Sequence, residues 1–238
     1  LILPADTAWN EAQRAEQKLP DLLPTPVSSH AIDAAARLLS NGKKTALLLR
    51  GAALYGVGLE AAGRVQAKTG ARLLCDTFAP HAELGAGRVP VERIPYFAEQ
   101  IVDFLKDFEQ IIFVGAKPPV SFFAYPGKPS WCVPEGSHLS YLAHAHQDGA
   151  QALAALADTL GAPARSPVRI PLQLPELPNG PLTALGVAQV IAAMTPENVI
   201  FADEAATASL PLLATMARAR PHTHLPLTGG SIGQGLPL

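Results

Sequence analysis

The stretch TALLLRG, residues 45–51, decides the fold class of this chain. Its apolar residues follow one another without the alternating polar positions that mark a strand with one wet face, and Gly51 closes the run. A continuous apolar run of this kind is typical of a parallel strand that helices cover on both faces of its sheet. We therefore expect residues 45–51 to form a fully buried strand.

Helical and strand-like patterns alternate outward from this stretch. The predicted helices cover 31–42, 59–70, 91–108, 148–161, 182–194 and 207–219, and the further predicted strands cover 71–77, 110–116, 129–134, 198–202 and 224–230. We expect Ser29 to cap the first helix and Asp148 the fourth, because such side chains accept hydrogen bonds from free helix amides. The alternation predicts an α/β fold with a doubly wound parallel sheet, helices on both faces, and an incomplete second α/β domain.

Two proline-rich stretches, 20–29 and 162–181, divide the chain, since they contain too many prolines for a helix or a central strand. We expect four parts. They are the end of one domain with a linker (1–29), a complete Rossmann-like domain (30–162), a linker (163–180) and the start of a further domain (181–238). Both ends are apolar, which is unusual for termini, so we expect the chain to be an internal piece of a longer polypeptide.

Composition argues against several classes of function. The formal net charge is −2, so the chain lacks the excess of basic residues that is typical of nucleic-acid-binding proteins. No apolar run reaches the roughly 18 residues that a membrane span needs. Cys75 and Cys132 lie in apolar, strand-like stretches, so we interpret them as buried, reduced thiols. The sequence predicts a cytoplasmic protein without nucleic-acid or membrane partners.

Two histidine pairs raise the question of a metal site. His144 and His146 precede a predicted helix start, and His222 and His224 repeat the same spacing. No cysteine or glutamate spacing completes a tetrahedral ligand set around either pair. We therefore expect solvated loop histidines and no metal ligands.

Glycines after the first strand raise the alternative of a nucleotide site. Gly51, Gly56, Gly58 and Gly63 lie between a predicted strand and a helix, and Asp76 closes the next strand, where a ribose-binding carboxylate would stand. The last glycine, however, follows its predecessor by five residues instead of three. We keep a bound nucleotide as an alternative that the spacing does not favour.

The closing stretch TGGSIGQGLPL, residues 228–238, permits two interpretations. It contains the G-x-S-x-G pattern, in which Ser231 would be the nucleophile of a hydrolase. That reaction needs an acid and a histidine further along the chain, and neither is present after Ser231. We favour the second interpretation, in which the glycines let the backbone lie close against a cofactor.

Longer stretches resemble a known enzyme family. ENVIFADEAATAS (197–209) and LPLTGGSIGQGLPL (225–238) resemble the start of the diphosphate-binding domain of thiamine-diphosphate enzymes. Residues 47–63, 75–97 and 113–130 resemble the central domain of acetolactate-synthase-like large subunits, and residues 1–9 resemble the closing strand of their pyrimidine-binding domain. The resemblance implies a fragment of a thiamine-diphosphate-dependent 2-oxo-acid decarboxylase or carboligase.

The same resemblance implies which residues bind the cofactor. The Gly230 carbonyl would accept a hydrogen bond from the 4′-amino group, and Ile232 would support the bent cofactor between its two rings. Thr207 and the amides around it would hold the diphosphate at a helix start, while Ala206 would contribute only its backbone. The Mg²⁺ ligands and the activating glutamate would lie outside these residues, so we expect no catalytic or metal-binding residue here and no activity from the chain alone.

The resemblance also implies partners, namely a small 2-oxo acid as substrate and a homodimer or homotetramer of the intact protein. The competing hypothesis is a non-catalytic nucleotide-binding α/β module. In that case residues 30–162 would bind a ligand by themselves.

Overall fold

The computed structural model describes residues 4–11, 18 and 20–235. Its helices are α1 (Ala5–Trp9), α2 (Ser29–Leu39), α3 (Gly56–Thr69), α4 (Ala98–Leu105), α5 (Gly149–Thr159), α6 (Ala184–Met194) and α7 (Ser209–Met216). Its strands are β1 (Thr45–Leu49), β2 (Arg72–Cys75), β3 (Ala82–Leu84), β4 (Glu92–Arg93), β5 (Gln110–Val114), β6 (His138–Ala143), β7 (Val199–Asp203) and β8 (His222–Pro226). In this part of the chain no helix is long and apolar enough to cross a membrane.

The first sheet confirms the predicted α/β class. Its five parallel strands run in the order β4-β2-β1-β5-β6, which puts β1 at the centre. Leu47 and Leu49 of β1 pack into one core with α2, α3 and α5, whereas Ala46 and Leu48 pack into a second core with α4. Every residue of β1 is buried, and this two-sided burial explains why the stretch is apolar without alternation.

The predicted starts of α2 and α4 are wrong, and α3 begins at Gly56 instead of at the predicted residue 59. Ser28, rather than Ser29, caps α2, because its hydroxyl accepts a hydrogen bond from the Ala31 N–H at 3.3 Å and Ser29 is already helical. The predicted helix over 91–108 is shortened to α4. Pro95 opposes a helix over 91–97, because proline lacks an N–H group and favours an extended conformation in the residue before it. The residues shortly before Pro95 form β4, which pairs with β2.

The predicted strand over 129–134 is also wrong, and β6 is the fifth strand of the sheet instead. Pro129 and Pro134 have no N–H group to donate to a ladder. Of these six residues, Trp131 alone forms a bridge, with Val120. The sequence HLSYLA of β6 escaped prediction because the strand is only partly buried and lacks the apolar run of β1.

The second sheet has three strands in the order β3-β8-β7. β7 and β8 are parallel, and β3 is antiparallel to β8, with Leu84 opposite His222. α6 and α7 pack together around a small apolar core that includes Ala192 and Met216. A short strand that was not predicted therefore joins the sheet formed by the C-terminal part of the chain.

Candidate cofactor-binding site

The two segments predicted to bind a cofactor lie at one edge of the second sheet. β7 ends at Asp203 and leads to Ala206 and Thr207, whereas β8 ends at Pro226 and leads to residues 228–235, which we call the glycine turn. Asp203 and Pro226 are partners in the ladder of these parallel strands. Both predicted segments therefore begin at the carboxyl edge of this sheet, the edge at which open parallel sheets bind ligands.

The glycine turn leaves β8 through backbone conformations that glycine adopts readily. The φ angles of Gly229, Gly230 and Gly233 are 62°, 69° and 103°. Phe122, from the loop after β5, packs against the turn at Gly230. A Cβ atom at Gly230 would lie only 2.8 Å from Cζ of Phe122. The Ile232 side chain is 78% exposed, so a branched apolar group is available to pack against a ligand.

The segment after β7 combines an unusual backbone with a helix start. Ala206 has a φ of 46°, in the left-handed region that alanine seldom occupies. Thr207 is exposed in a short 3₁₀ turn that leads directly into α7. Amides at a helix start and a hydroxyl beside them suit an anion such as a phosphate group.

Two polar side chains that the sequence analysis missed hold the glycine turn. Glu204, directly after β7, accepts hydrogen bonds from the N–H groups of Gly233 and Gly235, the latter at 2.7 Å. Gln234 donates to the carbonyl oxygen of Leu225 at 2.9 Å. The amides of the turn, that of Gly233 first, hold the pKa of Glu204 below its usual range. The sequence signal that could have identified Glu204 was its position, as an acidic residue between a predicted strand and a predicted helix start.

The prediction that His222 and His224 are solvated loop residues is wrong. The strand begins at His222 and not at His224, and alternate positions on it point both rings to one buried face, with exposures of 1% and 2%. Nε2 of His224 lies 3.6 Å from Oδ2 of Asp203. Burial opposes ionisation of Asp203, but the His224 ring and the Ala205 N–H at 2.8 Å hold its pKa below the usual range.

The other histidine pair lies as predicted. His144 and His146 are exposed, and Asp148 caps α5 by accepting a hydrogen bond from the Gln151 N–H at 2.9 Å. Over residues 4–11, 18 and 20–235, no three or more histidine, cysteine, aspartate or glutamate side chains are grouped so that they could hold a metal ion.

Ser231 does not have the surroundings of a nucleophile. It is exposed, and its N–H donates to the Thr228 carbonyl at 3.3 Å. No helix follows it in residues 232–235, and no described histidine is hydrogen-bonded to its hydroxyl. The structure therefore gives the nucleophile-elbow interpretation no support.

The glycines of the nucleotide hypothesis have structural causes. Gly51, in the turn after β1, and Gly56, the first residue of α3, have positive φ angles of 61° and 50°. A Cβ atom at Gly58 would overlap a neighbouring carbonyl, and one at Gly63 would lie 2.6 Å from Cγ2 of Val89. Turn geometry and close helix packing account for these four positions.

The first sheet has a cavity of about 390 Å³ at its own carboxyl edge, where the strand order reverses between β1 and β5. Arg50, Asp76 and Lys117 are among its polar lining residues, and Phe122 and Gly229 link it to the glycine turn. Asp76 already forms an ion pair with Arg50, so its carboxylate is engaged and not free to bind a ribose. The glycines of the nucleotide hypothesis do not line this cavity.

Comparison with known sequences gives the relationship of the chain. It is 42% identical, over all 238 residues, to a protein of Mycobacterium tuberculosis provisionally named acetolactate synthase large subunit IlvX. The chain is homologous to an acetolactate synthase-like large subunit. It spans 45% of the length of that relative. No protein-family model matches the chain.

Solved structures of decarboxylases, one of them described as thiamine-diphosphate-dependent, share the fold of this chain. The 4-hydroxybenzoylformate decarboxylase of Rhodococcus jostii RHA1 aligns with a TM-score of 0.67 at 17% identity, over 98% of this chain and 46% of its own. The benzoylformate decarboxylase of Polynucleobacter necessarius aligns with a TM-score of 0.61 at 17% identity, over 96% and 46%. The 42% identity confirms the resemblance drawn from the sequence, and the structural likeness establishes the shared fold.

Proposed function

We propose that the polypeptide carrying this chain is a thiamine-diphosphate-dependent enzyme that decarboxylates 2-oxo acids or joins them to an acceptor, as acetolactate synthase does. The observation that carries the proposal is that the glycine turn and the segment with Ala206 and Thr207 both follow the carboxyl edge of β7 and β8, where Glu204 joins the two through hydrogen bonds to Gly233 and Gly235. The homology over the whole chain supports it.

The residues at this edge fit the parts of thiamine diphosphate. The Thr207 hydroxyl and the amides at the start of α7 would hold the diphosphate, with Ala206 contributing backbone. The Gly230 carbonyl would accept a hydrogen bond from the aminopyrimidine, and the exposed Ile232 would fill the bend of the cofactor. A branched side chain with few rotamers suits that support. When bound, the cofactor supplies the carbanion chemistry, while these residues orient it.

The described residues do not supply a magnesium site, so the Mg²⁺ that we propose for the intact enzyme would need ligands from elsewhere in the polypeptide. The same holds for the acid that activates the cofactor. We therefore assign no catalytic or metal-binding residue to this chain, and we expect the 238 residues alone to be inactive.

We further propose a small 2-oxo acid substrate, a homodimer or homotetramer, and a cytoplasmic location. The two buried free cysteines, Cys75 and Cys132, support a reducing compartment. We do not favour FAD or another nucleotide in the first sheet, because Arg50 already engages Asp76 and packing explains the glycines.

Calorimetric titration of the polypeptide carrying this chain with thiamine diphosphate and Mg²⁺ tests the proposal. Loss of a hydrogen bond to a charged group predicts that Thr207→Val weakens binding by about ten- to a hundredfold. Gly230→Val should abolish it, since the new side chain collides with Phe122 and forces a β-branched residue to a φ of 69°.

Gly127→Val is the matched control, because Gly127 also has a positive φ, of 71°, but a Cβ atom there would have no heavy atom within 4 Å. This variant should bind the cofactor normally. Failure of the unsubstituted polypeptide to bind thiamine diphosphate would overturn the proposal, and binding of ADP instead would favour the nucleotide-binding module.

A further inference from the structure

Glu204 connects the two cofactor-binding segments. It follows β7 directly and lies two residues before Ala206, yet its carboxylate reaches the glycine turn after β8. One carboxylate oxygen accepts a hydrogen bond from the Gly233 N–H, and the other accepts one from the Gly235 N–H at 2.7 Å. The position of the turn is therefore tied to the position of the diphosphate segment.

We propose that Glu204 is a positioning residue that holds the glycine turn, and with it Ile232, ready for the cofactor before the cofactor binds. This inference rests on the proposed function, because it concerns the same site. Glu204 needs no contact with the cofactor to act in this way.

The geometry of Ile232 explains why the turn needs such a support. Its exposed side chain has little protein packing to hold it, so the backbone on either side must fix its position. Before it, the Ser231 N–H donates to the Thr228 carbonyl at 3.3 Å. After it, the N–H groups of Gly233 and Gly235 are those that Glu204 binds. Ile232 is thus bracketed by hydrogen bonds.

The glycines of the turn increase the effect of losing the hydrogen bonds to Glu204. Gly233 has a φ of 103°, and no heavy atom lies within 4 Å of the position that a Cβ atom would take. A glycine released from its hydrogen bond regains more backbone freedom than any other residue, and the cofactor would have to remove that freedom on binding. Removal of the carboxylate should therefore appear as weaker cofactor binding.

Gln234 and Phe122 restrict other parts of the turn, so Glu204 has a separate role. Gln234 binds Thr228 and Leu225, which belong to the turn and to β8. Phe122 lies over Gly230. Among the hydrogen bonds of the described residues 228–235, those of Glu204 are the ones that reach the β7 side.

The test compares Glu204→Ala and Glu204→Gln with the control Glu197→Ala in the polypeptide carrying this chain. Glu197 is an exposed carboxylate shortly before β7. Hydrogen–deuterium exchange of residues 228–235 is measured without cofactor, and the Kd for thiamine diphosphate and kcat at saturating cofactor are measured for each variant.

We expect Glu204→Ala to speed exchange of the turn at least about tenfold and to raise the Kd about ten- to a hundredfold. Once the cofactor is saturating, kcat should return to within about threefold of the unsubstituted value, because the turn is then held by the cofactor. Glu204→Gln keeps one acceptor oxygen and should be intermediate.

Unchanged exchange and an unchanged Kd in Glu204→Ala would overturn the inference, and so would a loss of kcat that saturating cofactor does not restore. Failure of the proposed function is distinguishable, because the unsubstituted polypeptide would then bind no thiamine diphosphate at all. Glu197→Ala should match the unsubstituted polypeptide in every measurement.

Discussion

His222 lies on β8 with its Nδ1 atom 2.8 Å from the carbonyl oxygen of Arg220. Because a carbonyl can only accept a hydrogen bond, Nδ1 carries the proton, and in the neutral ring Nε2 then carries none. Nε2 is buried and has no hydrogen-bond partner among the described residues. Burial is the main cause that lowers the pKa of His222, and the neighbouring His224 and Arg88 lower it further.

The neutral state of His222 predicts a pH-dependent stability. Its folded pKa is below the ordinary histidine value of about 6.5, so its contribution is complete above that value and is lost as the pH falls below it. Urea unfolding from pH 7.5 to 5.5 should reveal a loss of up to about 1.4 kcal/mol per pH unit for this proton. His222→Gln should flatten the dependence, whereas a change at the exposed His138, His138→Gln, should leave it intact.

Ala206 predicts a stabilising substitution. Its φ of 46° costs an alanine about 1 kcal/mol or more, whereas a glycine adopts this angle without strain. Ala206→Gly should therefore raise the free energy of unfolding by up to about 1 kcal/mol after the greater entropy of the unfolded glycine is subtracted. The neighbouring Ala205→Gly lacks this strain and should lower stability in the same chemical denaturation experiment. Equal losses in both variants would contradict the argument.

At the scale of single elements, α3 shows how a glycine can be required by packing. The absent Cβ of Gly58 leaves room for the carbonyl group of Ala52 in the turn before the helix. We expect Gly58→Ala to cost about 3 kcal/mol, since backbone cannot move aside as a side chain can. The exposed neighbour Val57 provides the comparison, and Val57→Ala should change stability by less than about 0.5 kcal/mol in urea titrations.

The elements also differ in how well the sequence predicts them. β1 was predictable because both of its faces are buried and every position must be apolar. β3 was not, since three residues carry too little pattern and its partner β8 lies far along the chain. Ser28 and Ser29 have equal capping chemistry, so only the structure decides between them.

The candidate site was predictable in part. The glycine turn carries its own pattern, and Thr207 lies at a recognisable helix start. The hydrogen bonds from Gly233 and Gly235 to Glu204 form because β7 and β8 lie side by side in the sheet. The local sequence around these residues does not encode that pairing.

At the scale of the whole molecule, β3 joins the two sheets, because it follows β2 in the chain but pairs with β8. Gly85, at its end, has a φ of 94°, and a Cβ there would lie 2.5 Å from the Arg220 carbonyl oxygen. Gly85→Ala should therefore detach β3 and separate the unfolding of the two sheets into two calorimetric transitions. Gly87→Ala has a similar φ of 77° but open space, so it should keep the transition pattern of the unsubstituted protein.

The pairing of β3 with β8 has a consequence for the chain while it is being made. β3 leaves the ribosome well before β8, and at about 5–20 residues per second the delay is on the order of ten seconds. During this interval the first sheet can be completed, but β3 has an open edge that could pair with another nascent chain. Its central residue is Glu83, and a charge in the middle of so short a strand discourages that pairing until β8 emerges.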